Sequence, residues 1–99
     1  MYEKQLEHKL VALIQSLDGM CLKLVSPGCA GVPDRLCLLP GGRALFVEVK
    51  KPGGRVRPLQ QHRLKQITNL GFQTLVVDSE SCLEEVKARC ATSHTTTKH

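Results

Sequence analysis

Two carboxylates and an amine lie around one predicted hairpin. Asp34 follows a Gly-Val-Pro run, and Glu48 and Lys50 complete a P-D-x13-E-x-K spacing. Mg²⁺ and Mn²⁺ prefer hard oxygen ligands and keep several waters, so two carboxylates and one backbone carbonyl suffice to hold either ion. A lysine beside such an ion can orient an attacking water and stabilise charge on a phosphoryl group. These residue types predict a Mg²⁺ or Mn²⁺ site for phosphodiester hydrolysis.

The hairpin must bring these groups together. Side chains alternate along a strand, so Glu48 and Lys50 share one face, Val49 turns into the core, and the Val49 carbonyl stays beside Glu48. Two apolar segments, 36–39 and 44–49, flank a Pro-Gly-Gly-Arg connection that predicts an antiparallel pair. Asp34 then lies at the open end of the hairpin, roughly abreast of Glu48 and Lys50. A salt-bridged hairpin end without metal is the alternative, because such charges are common at strand edges.

The remaining pattern predicts one α/β domain over residues 1–90 with the order α-β-β-β-α-β-α and a mixed sheet flanked by helices. The tail 91–99 has nothing to bury and is expected to be disordered. Besides the two hairpin strands, the predicted elements are helix 3–17, strand 20–25, helix 58–70, strand 72–77 and helix 82–90.

Apolar spacing of three and four predicts the buried sides of the first two helices. The first should bury Leu6, Leu10, Leu13, Ile14 and Leu17, and the second Leu59, Leu64, Ile67 and Leu70.

Composition favours a polyanionic partner. The 14 Lys+Arg against 9 Asp+Glu give +5, and six of the basic residues fall between Lys50 and Lys65. One Tyr, two Phe and no Trp disfavour recognition by base stacking, so DNA shape and backbone charge remain. Five cysteines without a C-x-x-C pair indicate reduced thiols that fill core positions. No long apolar run or signal-like segment is present, so we expect a cytoplasmic protein without a membrane partner.

Four motifs carry a resemblance to a known family. They are Gly31–Arg35 (GVPDR), Phe46–Pro52 (FVEVKKP), Arg57–Gln60 (RPLQ) and Gly71–Asp78. In order and spacing, from about Tyr2 to Val86, they resemble the virus-type replication-repair nuclease (VRR-NUC) domains of the PD-(D/E)XK superfamily. The resemblance implies a restriction-endonuclease-like core, with metal ligands at Asp34, Glu48 and the Val49 carbonyl and a catalytic lysine at Lys50.

The same resemblance implies two further site residues. A glutamate on the first helix falls on Glu7, although Glu3 lies one turn earlier on the same helical face. A glutamine that opens the next helix falls on Gln60; Gln61 competes with it but points about 100° away along the helix.

Basic residues provide candidate DNA contacts. Lys23 and Arg35 are candidate phosphate contacts, because members of the family have basic residues at these places. Lys51, Arg55 and Arg57 lie on a loop that is predicted to be mobile. Solvated surface charge is the alternative for Lys23 and Arg35.

The activity that the resemblance implies is a metal-dependent, structure-specific DNA endonuclease that leaves 5′-phosphate ends. Stand-alone members of the family are phage-borne and act as homodimers on branched DNA, which implies a four-way (Holliday) junction as substrate and the host cytoplasm as location. Two alternatives stay open: a DNA-binding accessory without turnover, and a nicking or flap nuclease without junction preference.

Overall fold

The computed structural model describes the backbone of residues 2–94 and the side chains of residues 2–90. The predicted order of elements is confirmed, with boundaries that differ by a few residues. The elements are α1 (Glu3–Ser16), β1 (Met20–Lys23), β2 (Arg35–Leu39), β3 (Arg43–Val49), α2 (Pro58–Asn69), β4 (Gln73–Val77) and α3 (Glu80–His94). Within this part of the chain, no helix combines the length and apolarity needed to cross a bilayer.

The four strands form one mixed sheet in the order β1-β2-β3-β4. The β1/β2 and β2/β3 pairs are antiparallel, whereas β3 and β4 are parallel and α2 forms the crossover between them. The strands β2 and β3 are therefore central, and their predicted antiparallel pairing is confirmed. The hairpin turn is one residue shorter than predicted, because Arg43 already pairs with Leu39. Gly41 and Gly42 supply the positive φ angles, 86° and 74°, that this tight turn requires.

One face of the sheet carries the core. Leu6, Leu10 and Ile14 of α1 are fully buried, as their spacing predicts, and Leu13 and Leu17 pack at the margin of the same cluster. The other buried apolar residues of the cluster are Cys37, Leu39, Leu45, Val47, Val49 and Val77 from the sheet and Leu83, Val86 and Cys90 from α3. Both α1 and α3 therefore lie on this face.

The other face is only partly covered. Helix α2 packs mainly on β4 and buries none of its residues completely. The prediction that Leu59 and Leu70 are buried is wrong, since their exposed fractions are 44% and 76%. A short helix over an edge strand meets too little sheet to cover its apolar side. Toward β1 the sheet face stays open, and Met20 and Leu38 are solvent-exposed there.

The last helix differs from its predicted bounds at both ends. It begins two residues before Cys82 and continues four residues beyond Cys90, to His94. The backbone at 91–94, which was assigned to a disordered tail, is therefore helical. Residues 95–99 of that predicted tail lie outside the described residues.

The segment before β2 is held against α2 at Gly31. Its φ is +84°, and a Cβ at this position would lie 2.8 Å from Leu59 Cγ and 3.1 Å from the Leu59 carbonyl oxygen. The neighbouring Ala30 carbonyl accepts a hydrogen bond of 2.8 Å from Arg63 Nε. Pro33 is fully buried two residues further on. This close approach fixes the chain just before Asp34.

We expect Gly31→Ala to lower the free energy of unfolding by about 2 to 4 kcal/mol, because it combines a left-handed backbone with a steric clash. Two matched variants separate these causes. Gly53 has φ +79° but open space around it, and Gly28 has open space without a positive φ. In urea unfolding, the loss in free energy of unfolding should be largest for Gly31→Ala, smaller for Gly53→Ala and smallest for Gly28→Ala. An equal loss in all three would show that the contact with α2 is unimportant.

Candidate metal and catalytic centre

Asp34 and Glu48 face each other across β2 and β3. The register pairs Arg35 with Val47, so the next pair toward the open end is Asp34 with Glu48. The Asp34 carbonyl accepts the Leu24 N–H at 2.8 Å, on the β1 side. Main-chain bonds of a central strand alternate between its neighbours, so Asp34 and Glu48 form a non-hydrogen-bonded pair, the arrangement with the closest side chains. The structure thus brings the two predicted carboxylates together.

The Asp34 carboxylate is oriented by the main chain of β3. Its Oδ2 accepts the Val49 N–H at 3.0 Å. Continuing the register places Pro33 opposite Val49, where an ordinary residue would donate its N–H to the Val49 carbonyl. Proline has no N–H, so this ladder bond is not made. The proline before Asp34 therefore leaves the Val49 carbonyl available for its predicted role as a metal ligand. This effect of the proline was not predicted from the sequence.

Glu48 is the most unusual residue of the site. It is the buried charged residue in the part of the chain with described side chains, at 2% exposure. Its Oε2 accepts Gln60 Nε2 at 2.8 Å and lies 3.3 Å from Lys50 Nζ. Its Oε1 is buried without any hydrogen-bond partner. Burial, and then the neighbouring Asp34 carboxylate, raise the pKa of Glu48 against the opposing effect of Lys50.

Gln60 connects α2 to this carboxylate. Its Oε1 accepts the Arg57 N–H at 3.0 Å at the start of the helix, so its amide nitrogen must face Glu48. Gln61, the competing candidate, donates instead to the Val56 carbonyl at 3.1 Å. The structure thus places Gln60 in the site and Gln61 outside it, while the catalytic role of Gln60 stays a prediction.

Lys50 projects from the end of β3 on the same face as Glu48. Its own N–H donates to the Val77 carbonyl at 2.9 Å, which holds the strand end against β4. The Lys50 side chain is 17% exposed, so the ammonium group is partly shielded from water next to the carboxylates. Val49, between the two, turns into the core with 1% exposure.

Glu7 and Arg35 form an ion pair with each other. Arg35 Nε donates to Glu7 Oε2 at 2.9 Å, and Arg35 also donates to the Cys21 carbonyl at 3.3 Å. Alternation along β2 places Arg35 on the α1 face, opposite to Asp34. Within residues 2–90, Glu7 bonds Arg35 and makes no hydrogen bond or ion pair with Asp34 or Glu48. The catalytic role of Glu7 and the DNA-binding role of Arg35 stay predictions, and Glu3 is exposed.

The other predicted DNA contacts are exposed. Lys51, Arg55 and Arg57 lie on the segment that joins Lys50 to α2, so they border the carboxylates along the chain. Lys23 lies on the edge strand β1, opposite Arg35. Lys23 is therefore on the α1 face with Arg35, whereas Lys51, Arg55 and Arg57 are close to the carboxylates in sequence and exposed to solvent.

The donor set fits a divalent cation held by few protein ligands. Among the described residues, no three His, Cys, Asp or Glu side chains cluster as metal ligands. Two carboxylates, one with an unpartnered buried oxygen, and an unused carbonyl match an ion that retains several waters. A separate cavity of about 450 Å³ shares none of these residues; its lining is Ser16, Leu17, Asp18, Leu39, Pro40, Arg43 and Cys90.

Comparisons with known proteins agree with the motif resemblance. A family model described as the VRR-NUC domain matches residues 1–81. A protein named "Putative nuclease p44", from Acyrthosiphon pisum secondary endosymbiont phage 1, is 42% identical over 78 residues, which cover 79% of this chain and 84% of that protein. A solved structure described as a VRR_NUC domain matches with a TM-score of 0.82 at 28% identity, over 87% of this chain and 94% of that chain.

The raised pKa of Glu48 predicts a pH dependence of stability in the metal-free protein. The folded state holds the carboxyl proton more tightly than the unfolded chain does. The contribution of Glu48 to stability is therefore full below the ordinary glutamate pKa and falls as the pH rises through the raised pKa. Glu48→Gln removes this ionisation.

In urea unfolding with EDTA, the free-energy advantage of Glu48→Gln over wild type should be smallest at acidic pH and should grow toward neutral pH. Glu84→Gln, at an exposed position of α3, is the matched control and should show no such trend. A difference between Glu48→Gln and wild type that stays constant with pH would contradict the buried, ionisable carboxylate.

Proposed function

The chain belongs to the VRR-NUC domain family, and from that premise we propose that it is a Mg²⁺- or Mn²⁺-dependent DNA endonuclease. The observation that supports this proposal most directly is the buried Glu48 carboxylate, whose Oε1 has no partner and whose neighbour across the sheet is Asp34. An unpartnered buried carboxylate oxygen costs free energy, so a site that retains one is adapted to a cation. The location proposed is the cytoplasm of a bacterial host, since the named relative is a phage protein.

Asp34, Glu48 and the Val49 carbonyl are the proposed metal ligands. When bound, a divalent ion lowers the pKa of a coordinated water and neutralises charge that develops on the phosphoryl oxygens. Asp34 is already oriented for this task by the Val49 N–H. Glu48 is held through Oε2 alone, which leaves Oε1 for the ion.

Lys50 and Gln60 both contact Oε2 of Glu48. The ammonium group of Lys50 carries a compact positive charge that can hydrogen-bond the attacking water and the scissile phosphate. Gln60 fixes the Glu48 rotamer, because its amide is itself anchored by the Arg57 N–H. Glu7 bonds Arg35 on the α1 face of the sheet, and its catalytic role is a proposal based on the family alone.

DNA binding is proposed to run along the exposed basic segment between β3 and α2. Lys51, Arg55 and Arg57 flank the carboxylates in the chain and can contact phosphates without sequence reading. Lys23 and Arg35 are the proposed contacts from β1 and β2; Arg35 would do so while paired with Glu7. The scarcity of aromatic residues favours recognition of shape over sequence.

The proposed substrate is branched DNA, with a four-way junction cut by a homodimer. Two symmetric cuts need two centres, and each chain supplies one. The open sheet face supports self-association. Met20 lies opposite Leu38 and Leu22 opposite Leu36, so these apolar side chains of β1 and β2 lie next to one another on that face. Exposed apolar patches of this kind are usual at interfaces between protein subunits.

Two other functions remain as alternatives. An accessory protein would bind branched DNA without cutting it, which the retained Asp34, Glu48 and Lys50 disfavour. A nicking or flap nuclease would use the same centre without junction preference. Cleavage of four-way, flap, nicked and linear substrates in one assay distinguishes the three functions.

With Mg²⁺ or Mn²⁺, we expect the wild-type protein to cut the four-way junction fastest and to leave 5′-phosphate ends. Lys50→Ala should lose on the order of 10² to 10⁴ in cleavage rate at saturating DNA, because the water and phosphate lose their cation. Glu48→Gln should lose at least as much because it removes an anionic ligand. Lys87→Ala and Glu84→Gln, both exposed on α3, are the matched controls and should cut normally.

If the wild type binds the junction but never cuts it with either metal, the accessory function is correct instead. Equal rates on all four substrates would support the nuclease without junction preference.

The basic segment predicts a separate class of defect. Arg55→Ala and Arg57→Ala should weaken DNA binding and reduce the slope of log K against log salt by about one each. Their cleavage rate at saturating DNA should stay near wild type, since neither side chain touches the carboxylates. Fluorescence anisotropy between about 50 and 200 mM salt measures this slope. An unchanged slope in both variants, equal to that of Lys87→Ala, would exclude the segment from the DNA interface.

A further inference from the structure

Two cysteines lie directly opposite each other on β1 and β2. The strand register pairs Cys21 with Cys37, and the Cys37 thiol donates a hydrogen bond of 3.7 Å to Cys21 Sγ. Both side chains are on the α1 face, away from the carboxylates. The nuclease function proposed above makes no use of either thiol.

The backbone at this pair already suits a disulfide. Leu24 donates to the Asp34 carbonyl, so that pair is hydrogen-bonded, and alternation makes Cys21 and Cys37 a non-hydrogen-bonded pair. The Cα atoms of such pairs are about 4.5 Å apart, which falls within the range of about 4.4 to 6.8 Å that disulfides require. A bond between the two sulfurs therefore needs side-chain rotation and little backbone movement.

The two thiols have different environments. Cys21 is half-buried, whereas Cys37 is completely buried. The hydrogen bond from Cys37, and then the positive charge of Arg35, lower the pKa of the Cys21 thiol, although burial and Glu7 oppose them. The same hydrogen bond, and then burial, raise the pKa of Cys37. Cys21 thus has the thiolate character and access of an attacking group, and Cys37 stands next to it as the resolving thiol.

We propose that Cys21 and Cys37 are a redox modification site that hydrogen peroxide converts into a disulfide joining β1 to β2. The Cys21 thiolate attacks peroxide; an S–O bond forms, the O–O bond breaks, and the departing hydroxide takes a proton to become water. Cys37 then attacks the Cys21 sulfenic acid; the S–S bond forms, the S–O bond breaks, and the leaving hydroxide takes the Cys37 proton. Two thiols and one peroxide give one disulfide and two waters.

The crosslink encloses the segment that carries Asp34. Residues 21–37 become a closed loop that contains Gly31, Pro33 and Asp34, and the short edge strand β1 is tied to β2. Closing this loop restricts the unfolded chain, so the oxidised protein resists unfolding more than the reduced protein does. A dithiol reductant restores both thiols.

The test oxidises the reduced full chain with limiting peroxide, blocks free thiols with iodoacetamide after denaturation, and identifies tryptic peptides by mass spectrometry. Each of the five cysteines lies on a different tryptic peptide; Cys21 is in residues 10–23 and Cys37 in 36–43. We expect these two peptides to be joined, with the loss of two hydrogen atoms, and to separate after dithiothreitol. Cys29, a half-buried cysteine outside the pair, should lose its thiol several-fold more slowly.

The variants make the proposal falsifiable. Cys37→Ala should leave a Cys21 sulfenic acid that dimedone traps, and the matched control Cys29→Ser should form the 10–23 to 36–43 link normally. The urea midpoint of wild type should rise on oxidation and that of Cys37→Ala should not. Joining of Cys37 to the Cys90 peptide, or oxidation of Cys29 before Cys21 in the folded protein, would overturn the proposal.

Discussion

The site depends on one buried carboxylate. Glu48 is almost entirely removed from water, and the Asp34 carboxylate lies beside it, next to the neighbouring strand β2. Only one of the two Glu48 carboxylate oxygens accepts a hydrogen bond. Burying a carboxylate is costly unless it is paired and hydrogen-bonded, and Lys50 and Gln60 satisfy only Oε2. We propose that this costly carboxylate serves to hold a cation, and the other features of the site hold Glu48 and Asp34 in place.

Four features of the fold maintain that pair. The β2/β3 register sets the two carboxylates opposite each other, and the Val49 N–H orients Asp34. Gly31 lets the chain before Asp34 approach α2 closely, and Gln60 at the start of α2 reaches back to Glu48. Helix α2 therefore contributes to the site, although it packs over an edge strand and none of its residues is completely buried.

The sequence predicts what depends on local pattern. The alternation in β3 and the glycine-rich turn placed Asp34 near Glu48 and Lys50, although the turn is one residue shorter than predicted. The spacing of Leu6, Leu10 and Ile14 identified the buried side of α1. Contacts between distant segments were not predictable in this way. The burial expected for Leu59 and Leu70 was wrong because exposure depends on how much sheet lies beneath a helix. The Glu7–Arg35 ion pair and the Cys21–Cys37 contact depend on the packing of β1 and α1 against β2, which a single sequence does not specify.

The most direct measurement of the central claim is the anomalous difference map of a crystal soaked in Mn²⁺. The account predicts a peak beside Glu48 Oε1, within reach of the Asp34 carboxylate, and no peak there in a Glu48→Gln crystal soaked under the same conditions. A peak located only at other residues, or one that persists beside position 48 in Glu48→Gln at full height, would contradict the claim that this carboxylate pair is built to hold a cation.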